Sequence, residues 1–211
     1  MKRIAAGALC LVLLLSGCGD ARCTPAQLME EYQDTLAQAR FQVRTCGGFA
    51  CTYRLELTET AAGFSVTVLE PASVAGIRAE ILPDGSAICY EDVTLDTLLP
   101  EPGGYAPADV LPGLLRQLRE TIPAGLGTVQ TTAGKRLQAE YQTVFADGTL
   151  SVKQLLLHPE TLYPESAELY LDGELLLAVK FEEFSLTRRE PVASEPRLWY
   201  TEAVTEDALR P

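Results

Sequence analysis

Thr52-Tyr53-Arg54-Leu55-Glu56-Leu57-Thr58 and, after a short turn, Phe64-Ser65-Val66-Thr67-Val68 set the period of this chain. Tyr53, Leu55 and Leu57 alternate with polar residues, and so do Phe64, Val66 and Val68. Side chains of a strand point alternately to opposite faces, so this pattern marks paired antiparallel strands with one dry and one wet face. The same pattern recurs downstream. Ile77, Ala79 and Ile81 alternate with Arg78 and Glu80, and Leu137, Ala139, Tyr141, Thr143 and Phe145 do likewise. Leu150 to Leu157, then Ala167 to Leu171 and Leu175 to Phe181, complete the set. Asp84-Gly85, Asp147-Gly148 and Asp172-Gly173 supply hairpin turns between them.

Two stretches break the alternation. Thr24-Pro25 reads as an N-cap with proline in the first helical position. Leu28, Met29, Tyr32, Leu36 and Ala39 follow at helical spacing, which predicts a helix over 25–39. Leu111, Leu114, Leu115, Leu118 and Ile122 form a second apolar stripe, ended by Pro123 and Gly125. The Pro- and Gly-rich segment 99–108 before it reads as a loop. Pro71 and Pro159 each precede an Asp-Gly turn by thirteen residues, and Tyr53 matches Tyr141 at an offset of 88, which suggests two similar halves in one sheet. The expected fold class is α+β: a curved, mostly antiparallel, open β-barrel with helices packed on its concave face.

The amino terminus carries a different message. Lys2 and Arg3 precede an apolar run from Ile4 to Leu15, too short for the roughly 20 residues a bilayer requires. Leu15-Ser16-Gly17-Cys18 closes it, the layout of a secretory signal. That tetrapeptide resembles the lipobox of bacterial lipoproteins, which implies cleavage between Gly17 and Cys18 and lipid attachment at Cys18. Two or more acyl chains hold a protein stably where one does not. The expected organisation is signal peptide 1–17, lipidated tether 18–24, a domain over 25–189 and an acidic, Pro-containing tail over 190–211, where Trp199-Tyr200 is a candidate to dock. The expected location is the extracytoplasmic face of the cell membrane.

The chain of 211 residues has a net charge of −12, and about −14 without Lys2 and Arg3. Such a chain is repelled by nucleic acid and by anionic lipid, so membrane contact rests on the lipid at Cys18. Cys23, Cys46, Cys51 and Cys89 are an even number in an exported chain, which favours disulfides over reduced thiols. Cys46 with Cys51 would close a hairpin and leave Cys23 with Cys89, one of three possible pairings. With one His and no Cys-x-x-Cys, no metal site is expected, and no cofactor.

Several segments together resemble the LolA-like family of periplasmic lipoprotein carriers and their lipid-anchored relatives in Gram-positive bacteria. They are the helix before the first strand, Glu70-Pro71-Ala72-Ser73-Val74-Ala75-Gly76-Ile77, Ala87-Ile88-Cys89-Tyr90-Glu91-Asp92, His158-Pro159-Glu160-Thr161-Leu162-Tyr163-Pro164 and Tyr170-Leu171-Asp172-Gly173-Glu174. The likeness is greatest to lipid-anchored forms from spore-formers, including germination lipoproteins that act with cell-wall amidases. It implies a half-barrel with an apolar space. The expected activity is binding of an acyl chain, lipid or lipopeptide, with Leu55, Leu57, Phe64, Val66, Val68, Leu111, Leu114, Leu115 and Leu118 as ligand-facing or core residues. The alternative is a non-catalytic adaptor for a cell-envelope protein such as an amidase. Catalysis is not expected. His158-Pro159 reads as a turn, no nucleophile, zinc or P-loop motif occurs, and the adjacent carboxylates Glu91-Asp92 and Glu182-Glu183 would point to opposite faces of a strand.

Overall fold

A computed structural model describes residues 23–48, 50–83, 85–97 and 104–189. The signal and tether, with Gly17 and Cys18, and the tail beyond 189 lie outside the described residues. Helix α1 (Pro25–Tyr32) is followed by six strands, β1 (Thr35–Thr45), β2 (Thr52–Thr60), β3 (Gly63–Glu70), β4 (Arg78–Leu82), β5 (Gly85–Tyr90) and β6 (Val93–Thr97). Helix α2 (Val110–Glu120) leads to β7 (Gly125–Thr131), β8 (Gly134–Val144), β9 (Leu150–Leu157), β10 (Pro164–Leu171) and β11 (Glu174–Arg188). All eleven strands form one antiparallel sheet in the order β6-β5-β4-β3-β2-β1-β11-β10-β9-β8-β7. Its ends, β6 and β7, do not pair, so the barrel stays open. The fold is the expected α+β half-barrel.

The first helix is shorter than its spacing predicts. Thr24 caps it, accepting from the Gln27 N–H while the Gln27 side chain accepts from the Thr24 N–H. It ends at Tyr32, because Asp34 turns the chain with φ +53 and the segment behind it is wanted in the sheet. Thr35, Ala37, Ala39, Phe41 and Val43 are the buried side of β1, which pairs with β2 on one edge and β11 on the other. Helix α2 matches its stripe. Val110, Leu111, Leu114, Leu115 and Leu118 are buried against the sheet, each worth about 2 kcal/mol of burial. Ile122 falls beyond the helix and is exposed.

The halves are not superposable. Read across the sheet, β5 to β1 and β11 to β7 keep the same order. Because β1 and β11 are antiparallel, corresponding strands run in opposite directions. Overlaying them turns the sheet over and would carry α1 to the face away from α2, whereas both helices share one core. Accordingly Val66 is buried, while Gln154, 88 residues on, lies between buried Lys153 and Leu155. The offset reflects common hairpin chemistry.

One ion pair joins both helices to the sheet. Arg119, near the end of α2, grips the Glu59 carboxylate of β2 with two bonds of 2.8 and 2.7 Å. The same guanidinium donates to the carbonyls of Tyr32 and Thr35, where α1 passes into β1. Glu59 also accepts from the Ala37 N–H and from Arg189. The Glu59 side chain is 3% exposed and that of Arg119 14%. Removing Arg119 leaves the buried Glu59 carboxylate with the Ala37 N–H and the half-exposed Arg189. Arg119→Met should therefore lower unfolding free energy by about 3–5 kcal/mol in denaturant titrations. Glu59→Met/Arg119→Met should be less destabilised than that single variant, and equal or greater loss in the double would contradict this account.

Gly63 opens β3 with φ +149, and a Cβ there would meet the Ile81 carbonyl oxygen at 2.3 Å. Gly63→Ala should cost about 1–3 kcal/mol and lower the thermal midpoint in calorimetry, with an unchanged midpoint the contrary result.

Candidate functional site

The residues expected to face a ligand or to form the core are here core. Leu55, Leu57, Val66, Leu111, Leu114, Leu115 and Leu118 are at most 1% exposed, Phe64 is 8% exposed, and Val68 is half-buried. They pack on one another in a single cluster between helices and sheet. Open space lies elsewhere, including two clefts of about 700 and 690 Å³.

The first cleft is shaped by Pro164. Its ring nitrogen has no hydrogen to donate, and it stands at the first position of β10. The β10–β11 ladder begins at Ser166, opposite Lys180. Strand β11 runs on to Arg188, paired beyond Lys180 with β1 alone among the described residues. Its other edge, at Glu182 to Phe184, lines the cleft together with Tyr163, His158 and Arg136. Phe184 touches Tyr163, Phe181 and Tyr32, with ring centroids 5.3, 5.9 and 6.3 Å away. Tyr32 is buried and donates its hydroxyl to the Leu162 carbonyl at 2.7 Å, fixing the β9–β10 loop over this cluster. His158 holds the same loop as a turn, its Nδ1 accepting from the N–H groups of Glu160 and Thr161. Arg136 is tied to Glu165 across the cleft floor.

Glu182 and Glu183 depart from the expected arrangement. The β1–β11 register shifts here, Arg40 facing Glu183 and Phe41 facing Phe181, so Glu182 is an extra residue in a bulge. The bulge puts both carboxylates on the side of the sheet that carries Arg40 and Arg54, each beside a different one. Glu182 accepts from Gln42 at 2.7 Å and Arg54 at 2.9 Å, while Glu183 lies 3.6 Å from Arg40. The hydrogen bond from Gln42, then the bond and charge of Arg54, hold the Glu182 carboxyl below the usual range. Glu91, at φ +51, and Asp92 form the exposed β5–β6 turn.

The disulfide expectation is not met: Cys23, Cys46, Cys51 and Cys89 are free thiols. Thr45 accepts and donates opposite Cys51, so the ladder sets Cys51 against Thr45 and not against its neighbour Cys46. Both cysteines lie just outside the strands, and their thiols sit by different carbonyls, Cys46 by that of Arg44 and Cys51 by that of Thr52. Cys23 shares a hollow with Pro159 and Leu162 of the β9–β10 loop. Cys89 belongs to β5, six strands from β10 in the sheet order, whereas a bridge needs Cα atoms within about 7 Å. Among the described residues no cluster of His, Cys, Asp and Glu fits a metal ion, and no helix is long and apolar enough to cross a membrane.

Sequence reasoning missed a polar pocket inside the core. Ser151 and Lys153 share the buried face of β9 with Leu155 and Leu157, and this spacing was the available signal. Lys153 is 3% exposed. Its ammonium sits 4.7 Å from the ring centre of Tyr105, whose hydroxyl donates to Ser151 at 2.9 Å. Gly104 leaves the room, since a Cβ there would stand 3.2 Å from the Lys153 nitrogen. Burial pushes the Lys153 pKa down to about 8, against the opposing charge of Asp109. The Tyr141 hydroxyl and the Gln117 amide oxygen are buried without a partner among the described residues, and burial raises the Tyr141 pKa.

No family model matches the chain, and no curated protein matches it. Solved structures do resemble it. A LolA superfamily protein from Nitrosomonas europaea is 14% identical, with a TM-score of 0.41 over 78% of this chain and 94% of that one. A domain described as outer membrane lipoprotein-sorting, from Vibrio parahaemolyticus, is 10% identical, with a TM-score of 0.46 over 82% and 96%. A chain of the MucA/MucB complex of Pseudomonas aeruginosa is 14% identical, with a TM-score of 0.44 over 82% of this chain and 59% of that one. These likenesses are distant and concern the fold.

Lys153 gives this region a pH signature. Its folded pKa of about 8 lies below the unfolded value of 10.5, so between them the unfolded chain binds the extra proton. Stability should rise with pH through that window until, above about pH 10, the raised tyrosines reverse the slope. Lys153→Met should flatten the rise and add on the order of 2 kcal/mol near pH 7, where the buried charge is carried in full. A variant with the same stability–pH curve as the parent would refute this.

Proposed function

We propose that this chain is a non-catalytic binding module of the cell envelope, anchored through lipid on Cys18, that receives an extended apolar segment of another envelope protein. One observation carries the reading: the β11 edge at Glu182 to Phe184 has no strand partner on one side among the described residues, beside a cleft rich in aromatic rings. An unpaired edge offers backbone N–H and C=O groups, and an added strand satisfies them while its alternate side chains enter the cleft. The filled space between helices and sheet supports this reading over an acyl chain held inside the half-barrel. A non-catalytic role fits the turn-holding task of His158 and the arginine-bound state of Glu182 and Glu183.

A second reading places an acyl chain, lipid or lipopeptide in the same cleft, favoured by Tyr163, Phe181 and Phe184 on its wall. A photoreactive side chain at exposed Thr161 separates the two in intact cells. Crosslinks mapping to an apolar stretch of one envelope protein, absent when the probe sits at Ala62, support the adaptor. Crosslinks to lipid alone favour the second reading, and no adduct removes both. The anchor has its own check. Cys18→Ala should shift the protein from the membrane fraction to the soluble one, and a variant that stays membrane-bound would overturn the tether.

A further inference from the structure

The concave face of the sheet is covered only in part. Register follows it outward from the core: Phe64 pairs with Ile81 and Val66 with Ala79, Ala79 with Ile88, Ile88 with Leu95, and Tyr90 with Val93. Paired residues share a face, so Ile88, Tyr90, Val93 and Leu95 extend the buried surface of Phe64, Val66 and Ile81. Phe64 and Ile81 are 8% and 5% exposed under α2, but Tyr90, Val93 and Leu95 are 48%, 57% and 60% exposed. This apolar shelf lies on the side of the sheet where the core belongs.

The described chain stops three strands away, against β2 at the near end of the second cleft. Arg189 donates its N–H to the Asp34 carbonyl and its guanidinium to Glu59. Both Arg189 and Glu59 line the second cleft, which continues past Phe64 and Ile81 to Ser86 at the start of β5. Arg116, on the wall of that cleft, makes no hydrogen bond or ion pair among the described residues. Twenty-two residues follow Arg189, with Glu190 and Glu195 early and Leu198-Trp199-Tyr200 in the middle.

We propose that the carboxy-terminal segment of this same chain runs through the second cleft and seats Leu198-Trp199-Tyr200 on the shelf of Tyr90, Val93 and Leu95. Length permits it. From β2 to β5 is three strand spacings of ~4.8 Å, and the shelf lies a few residues further along β5. Ten extended residues from Arg189 to Trp199 reach up to ~33 Å, more than the path needs. Charge agrees, since Glu190 and Glu195 pass Arg116. The segment would cover the concave face where the helices leave it bare.

Trp199 is the sole tryptophan, so its fluorescence reports on the segment alone. In the full-length folded protein its emission should be blue-shifted and its quenching by acrylamide several-fold weaker than in a peptide of residues 190–211. Both signatures should be independent of protein concentration and should be lost in Leu95→Asp, whose circular dichroism should remain native because Leu95 is already exposed. Emission at the water-exposed position overturns the proposal. Shielding that disappears on dilution assigns the shelf to a second copy, and shielding that survives Leu95→Asp with Tyr90→Ser places the segment elsewhere; either overturns it too.

Discussion

The pairing of Glu59 with Arg119 is the constraint on which the arrangement of helices and sheet depends. A helix stripe of leucines will pack on any apolar face, and burial alone is indifferent to sliding. Arg119 removes that freedom, because its planar fork must meet Glu59 in two parallel bonds while also reaching the carbonyls of Tyr32 and Thr35. Four segments meet at this point: the end of α1, the start of β1, the end of β2 and the last turn of α2. Each guanidinium nitrogen has an acceptor, and Glu59 takes further bonds from Ala37 and Arg189. A buried ion pair brings little net stability over a well-packed apolar substitute. Its effect here is on register, fixing which turn of α2 lies over which strand.

That constraint was invisible to a reading of the chain by periodicity. Glu59 sits where alternation from Leu55 and Leu57 calls for an apolar residue, and no local rule links it to Arg119 sixty positions on. What periodicity does convey is the strands themselves. β9 occupies the residues its alternation marked, and α2 follows its leucine stripe within two residues. The first helix shows the limit. Leu28, Tyr32, Leu36 and Ala39 fit a helical period, and Ala37, Ala39, Phe41 and Val43 fit a strand period. The overlap is decided by long-range pairing with β2 and β11, not by propensity. Lys153 and the Glu182 bulge were hidden for the same reason: one residue's face depends on neighbours contributed by distant strands.

A filled interior moves the question of binding to the margins of the sheet. The long strands β1 and β11 lie at its centre, pair on both sides over much of their length, and bury Phe41, Val43, Leu177 and Val179. Binding surfaces arise where this regularity breaks. Pro164 ends one ladder early and exposes the β11 edge, and the helices stop short of β5 and β6. Both breaks follow from the chain's own chemistry, a missing N–H in one place and the limited length of an eleven-residue helix in the other.

The two edges of the open sheet are protected differently, and this bears on which of them tolerates an uncovered apolar face. At β7, Gly125, Gly127 and Thr128 leave little apolar surface to recruit another strand. At β6, Val93 and Leu95 are exposed on the concave side, while Thr94 and Asp96 face the other way and Asp92 stands in the turn. Asp92 and Asp96 discourage edge-to-edge pairing, because a like strand would bring carboxylates together. It does nothing to cover the face. Strands β4, β5 and β6 are five or six residues long, and their buried side chains are Ile81 and Cys89. Few buried contacts make this the end of the sheet that opens first. A group that covered the shelf of Tyr90, Val93 and Leu95 would therefore do more than bury three side chains: it would extend the core to the part of the sheet that has least of it.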